Sequence, residues 1–244
     1  MLVKTYGSAI HGIDAIMITI EVNISQGIKF FLVGLPDNAV KESQHRLVAA
    51  INNVGFRFPK QRIVINMAPA DIKKEGSAYD LPIAIAILAA SNQMNGDLLA
   101  EYMLMGELSL DGTLKPVKGA LPMALKAKEN NFKGLILPKE NAREAAIVDG
   151  IEVFGFENIS EVVEMLNGDL QSGRVEVSIE DIFNSKLNDY PFDFVDVKGQ
   201  ENIKRALEIA AAGSHNVIMI GPPGSGKTML AKRLPSILPS MSLN

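Results

Sequence analysis

The chain has 244 residues, 47% hydrophobic and 21% charged, with a net charge of −4 and no cysteine. This is enough apolar material for one large domain or two, and the missing thiols exclude a disulfide framework, a thiolate metal site and a cysteine nucleophile. The acidic balance excludes an overall basic nucleic-acid footprint.

The first six residues, Met1-Leu2-Val3-Lys4-Thr5-Tyr6, do not read as a signal peptide. The longest apolar run, residues 81–90, contains Pro82 and is too short to cross a bilayer. A cytoplasmic protein with no membrane contact is expected. Over residues 14–26, Ile16, Ile18, Ile20, Val22 and Ile24 fall on one side, the period-two pattern of a half-buried strand. A second strand is predicted at 28–34, ending in Gly34-Leu35-Pro36-Asp37. Asp37 or Asn38 then caps a helix running to about residue 53, with Val40, Leu47, Val48 and Ile51 on its apolar face. Residues 62–67 read as a strand, and 78–91 as a helix apolar enough to be buried.

The stretch 104–115 is a predicted hairpin turning at Asp111-Gly112. Helices at 119–130, 141–148 and 159–166 interleave with strands at 134–137 and 151–154. This alternation predicts an α/β or α+β domain. Residues 171–190 are polar and weakly periodic, and read as a linker with one short helix at 179–183. A second domain starts near Pro191, so the expected organisation is 1–170, 171–190 and 191–244. Residues 191–244 carry six basic and four acidic side chains, hence +2, which leaves −6 for the rest. Lys41, Arg46, Arg57, Lys60, Arg62, Lys73 and Lys74 stand against only Glu42 and Asp71. The sequence leaves open whether they form a face for a nucleic-acid backbone or an ordinary solvated surface.

Gly221-Pro222-Pro223-Gly224-Ser225-Gly226-Lys227-Thr228 fits the phosphate-cradling pattern G-x-x-x-x-G-K-[ST]. Its glycines allow backbone angles and close approaches that a side chain would block. Successive N–H groups can then converge on phosphate oxygens, helped by the positive end of the following helix. Lys227 is placed to reach the β- and γ-phosphates, and Thr228 to offer a hydroxyl to Mg²⁺. Residues 216–220 read as a buried strand before the loop. Met229, Leu230, Ala231 and Leu234 continue as a helix to Pro235. ATP and Mg²⁺ are the cofactors this predicts. Hydrolysis needs further groups: an acidic residue on a second strand and usually a neighbour's arginine. Only sixteen residues follow Thr228, so the sequence is expected to carry the start of a motor, one that binds nucleotide without turning it over.

The run Phe194-Val195-Asp196-Val197-Lys198-Gly199-Gln200, then 204–216 and the phosphate loop, resembles the start of a magnesium-chelatase-type AAA+ module. That resemblance implies that Val197 and Gly199 line an adenine pocket. Their other reading is a glycine-capped turn leading into a helix. His215 reads either as a group near the nucleotide or as a turn residue closing that helix. With three histidines, none at ligand spacing, no zinc site is expected.

The first 170 residues resemble the proteolytic domain of Lon, of the ribosomal S5 domain 2-like fold. The resemblance rests on 105–117 (Met105-Gly106-Glu107-Leu108 onward), on Leu137-Pro138-Lys139-Glu140-Asn141, and on Lys74-Glu75-Gly76-Ser77-Ala78, where Lon holds its nucleophilic serine. The proline preceding that serine in Lon is missing here. The ungapped match puts Leu121 at Lon's catalytic lysine, while Lys118 and Lys126 are out of register. A leucine cannot take the serine's proton. The resemblance therefore implies a Lon-like fold kept for assembly or substrate contact.

Lon-like then chelatase-like, in this order, is similar to the ComM/YifB family of bacterial AAA+ proteins. That implies ATP-dependent DNA branch migration or helicase activity in natural transformation, a DNA partner and a homo-oligomer, a hexamer at full length. A metal-insertion ATPase subunit is the second reading, disfavoured because chelatase subunits were expected to lack a Lon-like leader. A Lon-like peptidase or passive oligomerisation module is the third.

Overall fold

A computed structural model describes residues 1–170, 172–178 and 191–238. They belong to two compact units, Met1–Val177 and Ser178–Asn244. Of the linker expected at 171–190, only 172–178 is described, and the short helix expected at 179–183 lies outside the described residues.

The first unit is mixed α/β. Its strands are β1 (Leu2–His11), β2 (Asp14–Ser25), β3 (Phe30–Val33), β4 (Arg62–Ala68), β5 (Tyr102–Leu104), β6 (Glu107–Leu108), β7 (Leu114–Lys115), β8 (Gly134–Pro138) and β9 (Glu152–Phe156). Seven of them form one sheet in the order β3-β4-β2-β1-β5-β8-β9, and β6 and β7 pair as a separate hairpin. β1–β2 and β2–β4 are antiparallel, and the other four pairings of the large sheet are parallel. The helices are α1 (Asn38–Lys41), α2 (Ser43–Asn53), α3 (Asp80–Ala90), α4 (Ala120–Glu129), α5 (Lys139–Ala145) and α6 (Ile159–Leu166).

The alternation read in β2 is real: Ile18, Ile20, Val22 and Ile24 are buried and pack with Ile63, Ile65 and Met67 of β4. α3 is buried along its whole length and lies on β1 and β2. That explains why its sequence is apolar all round rather than striped. The helix expected from 37 to 53 is divided at Glu42. Asp37 caps its first turn through the Val40 N–H at 2.8 Å.

Two expectations are corrected here. β1 was not foreseen, because Lys4, Thr5, Gly7 and Ser8 interrupt its apolar pattern, yet it lies near the middle of the sheet. The first unit also runs on past residue 170. The Val175 N–H donates to the Val153 carbonyl, and the Gly155 N–H to the Gly173 carbonyl, both at 2.8 Å, so this stretch lies along β9.

The second unit has a small core of Phe194, Val197, Leu207 and Leu230. Its helices are Glu201–Ala212 and Lys227–Arg233. Residues 216–220 are not in a strand, which corrects the expected buried strand: Ile218 is 84% and Ile220 89% exposed. A strand is buried by neighbouring strands and by helices over its faces, and among the described residues none pairs with this one. No helix among the described residues is long and apolar enough to cross a membrane.

Candidate functional site

The glycine loop 221–228 of the second unit, expected from its sequence to cradle phosphates, is built by two glycines in the left-handed region, Gly224 at φ 80° and Gly226 at φ 84°. Gly226 directly precedes the helix Lys227–Arg233. A methyl group at Gly224 would meet nothing within 4 Å, so one side of the loop is open; one at Gly226 would lie 3.3 Å from the Gln200 side-chain nitrogen. The Lys227 ammonium is turned into the loop. It donates to the carbonyls of Gly221 at 2.7 Å and Pro222 at 2.8 Å, and to the Ser225 hydroxyl at 3.2 Å. No carboxylate among the described residues pairs with it. Thr228 is exposed on the first turn of the helix.

The other residues singled out in this unit are placed differently. Val197 is 1% exposed and belongs to the core with Leu230, so its side chain supports the loop from inside. Gly199 has φ 69° and open space around it. Next to it, Gln200 takes the left-handed conformation at φ 55° as the helix Glu201–Ala212 begins. Its side-chain nitrogen lies near the space a Gly226 side chain would fill, which brings the start of that helix close to the glycine loop. Gln200 was not a candidate, and only its place beside Gly199 hinted at it. His215 folds back on the end of its helix: its N–H donates to the Ala210 carbonyl at 2.9 Å, and a side chain at Gly213 would collide with its ring. It closes a turn.

In the first unit, Ser77 stands in a cleft of about 830 Å³. Asp37 positions the segment ahead of it by accepting from the Gly76 N–H at 3.0 Å while capping α1. The Ser77 hydroxyl donates to the Glu107 carboxylate, not to a lysine. Leu121, at the position matched to Lon's lysine, is 37% exposed on α4. Lys126 is paired with Glu129 at 2.8 Å. Lys118 lines the same cleft as Ser77, and no hydrogen bond or ion pair to another described residue holds its side chain. A hydroxyl donating to a carboxylate is held in place; nothing else in this arrangement activates it.

Two of the seven basic residues, Arg46 and Lys74, are turned inward and do not belong to a solvated face. Arg46 grips the buried Asp80 through Nε at 2.6 Å and a second nitrogen at 3.0 Å. Burial pushes the Asp80 carboxyl up to about 6, against the pull of Arg46. Lys74 is fully buried, its ammonium on the Pro69 carbonyl, and burial holds its pKa below the usual lysine value. Lys73 is paired with Glu75, and Arg62 lies over the Phe31 ring at 5.3 Å. No group of three or more metal-ligating side chains occurs among the described residues.

Comparison with known proteins places both units. The family described as "Subunit ChlI of Mg-chelatase" matches residues 20–141, and "Magnesium chelatase, subunit ChlI" matches 193–244. The first match lies within the unit read as a Lon-like leader, so such a leader does not argue against a chelatase-type relationship. Competence protein ComM of Haemophilus influenzae is 43% identical over 99% of this chain and 47% of its own length. The uncharacterized protein YifB of Escherichia coli is 44% identical over 95% of this chain and 45% of its own length. Lon protease 2 of Bacillus subtilis is 29% identical over 51% of the chain, so the Lon likeness is partial. The chain thus spans about half the length of the curated relatives it matches most fully. On these matches, the chain belongs to the magnesium-chelatase-like ComM/YifB family.

Proposed function

We propose that this chain is the ATP-binding portion of an AAA+ motor: a Lon-like, non-proteolytic first unit followed by the start of a P-loop module. The observation that carries the reading is Lys227. Its ammonium is turned into a glycine-shaped loop and rests on neutral carbonyls and a hydroxyl, with no carboxylate among the described residues to hold it. Such a cation can exchange those oxygens for phosphate oxygens, gaining a charge-assisted bond. The open side at Gly224 gives the backbone room to approach a phosphate. These residues fit ATP. The N–H groups of 224–228 would hold the phosphates, Lys227 would offset the β- and γ-phosphate charge, and the Thr228 hydroxyl would hold Mg²⁺. The ion supplies charge neutralisation at the transferring phosphoryl group. Gln200 would steady the loop from the helix beside it.

Titration with a fluorescent ATP analogue and Mg²⁺ tests this. Saturable binding is expected, weakened at least about tenfold by Lys227→Ala, a loss of roughly 1.4 kcal/mol. Equal affinity of the two proteins would refute the assignment.

For the whole protein we propose ATP-driven DNA branch migration or helicase work by a hexamer. The support is the name competence protein borne by a relative with 43% identity. A metal-insertion ATPase is the second reading, supported by the two chelatase-subunit family matches. In the full-length protein, ATP hydrolysis rising with branched DNA supports the first, and hydrolysis rising with a porphyrin the second. Sedimentation with nucleotide reads the ring size.

A further inference from the structure

The cleft beside Ser77 has one wall made of main chain. β1 and β2 meet from Leu2↔Asn23 to His11↔Asp14, closing on the two-residue turn Gly12-Ile13. In such a hairpin the closing pair exchanges hydrogen bonds, and bonded pairs then alternate. The bonded pairs of β1 are therefore the odd-numbered residues. Ser8 and Ile10 turn their N–H and C=O groups away from β2, towards the side where β5 would continue.

β5 does not continue. Its pairing with β1 consists of Tyr6↔Met103, and the Gly106 N–H is already bonded to the Ala78 carbonyl. The Ser8 N–H is left with the Met105 thioether sulfur at 3.3 Å, a weak acceptor. The buried Ser8 hydroxyl has no hydrogen-bond partner among the described residues. Among the described residues, the Ile10 N–H has no hydrogen-bond partner outside the strands, and the alternation of the hairpin turns it away from β2. Ser8 to His11 thus form an open sheet edge inside a cleft, with Ser77 and Glu107 among its other lining residues.

We propose that this cleft takes an extended polypeptide segment as an added strand on the β1 edge, and holds it without cutting it. An edge offering N–H and C=O groups in alternation is matched by the main chain of an extended peptide. The lining also favours apolar side chains, through Ile16, Ile72 and Val117. The charge favours a neutral-to-basic peptide. Asp71, Glu75 and Glu107 face the cleft against Lys73 and Lys118, and Lys73 is already taken by Glu75. Cleavage is not part of the proposal, because the Ser77 hydroxyl donates a hydrogen bond to the Glu107 carboxylate and no lysine among the described residues bonds to it. The inference stands apart from the nucleotide site in the second unit.

The test uses the whole chain and a fluorescein-labelled octapeptide of alternating valine and lysine, followed by fluorescence anisotropy. Saturable binding is expected. N-methylating the peptide at one alternate set of residues should weaken it about tenfold or more, whereas methylating the other set changes it little, since only one set faces the edge. Ile10→Pro should weaken it comparably, with circular dichroism reporting the fold. The methylated peptides carry the test even if that variant does not fold. No binding, equal loss from both methylated sets, or retention of binding by a folded Ile10→Pro protein overturns the proposal. So does peptide cleavage that Ser77→Ala abolishes, or displacement of the peptide by single-stranded DNA at equimolar charge.

Discussion

Arg46 and Lys74 are two cations that a sequence assigns to the surface and the fold uses inside. Arg46 closes on Asp80, which is 1% exposed and also accepts from the Leu108 N–H at 3.3 Å. Removing the guanidinium leaves a buried carboxylate without its counter-charge, which costs about 3–5 kcal/mol. Arg46→Met should therefore be strongly destabilised at pH 7 in urea unfolding. The sign of its pH dependence follows from burial. The folded Asp80 carboxyl already lies near 6, above the ordinary 3.8, and rises further without Arg46. The folded state then binds a proton that the unfolded state does not, and the penalty grows as pH rises from about 4 through the folded value. Lowering the pH from 7 to 5 should narrow the gap to wild type; a gap that stays constant would place the cost elsewhere. Lys74 has one carbonyl partner and a depressed pKa, so a methionine there costs little. Lys74→Met is expected within about 1 kcal/mol of wild type, and a loss several times larger would show an unrecognised partner. Neither partnership could be read from the chain, because Asp80 and Pro69 reach these cations only in the folded unit.

At the scale of elements, the sequence was most legible where burial is one-sided or complete. β2 and β4 alternate, α6 was read to the residue, and α3 is apolar throughout. β1 was missed because its centre carries Thr5, Gly7 and Ser8. Thr5 satisfies its hydroxyl on the Pro82 carbonyl of α3 at 3.0 Å, so a polar residue costs little there. The cleft was illegible for another reason: residues from β1, the segment 71–79, Glu107 and 116–118 meet only through the sheet order. The glycine turns of 221–228 were legible because their geometry is local; Gln200, arriving from another element, was not. The segment 216–220 had the composition of a buried strand but not the neighbours. The consequence is testable in this 244-residue chain. Ile218→Lys should change stability by less than about 0.5 kcal/mol. Leu230→Ala should cost about 2–4 kcal/mol, because Leu230 is 1% exposed in the small core. The reverse ranking would mean that the segment is packed and Leu230 is not.

For the whole molecule, the two units separate the chemistry. Every group proposed to meet a nucleotide lies in 197–228, and every group lining the Ser77 cleft lies in the first unit. A ligand that binds the native state protects the amides it holds. Hydrogen exchange with ATP and Mg²⁺ is therefore expected to slow within 199–233 and to leave β1, β2 and α3 unchanged. Protection spread evenly over both units would argue for a nucleotide contact that the phosphate loop does not describe.

The place of β1 also bears on the order in which the protein acquires its structure during synthesis. The hairpin of β1 and β2 involves only neighbours in sequence and can form as soon as both strands are made. Yet β1 lies mid-sheet, and its contact from Ser8 to Met105 spans 97 residues. Until β5 emerges, the nascent hairpin keeps an unfinished flank, the kind of edge at which chains mispair. Completion of the native sheet pairs that flank at Tyr6, while the edge groups of Ser8 and Ile10 keep their early, open condition in the mature fold.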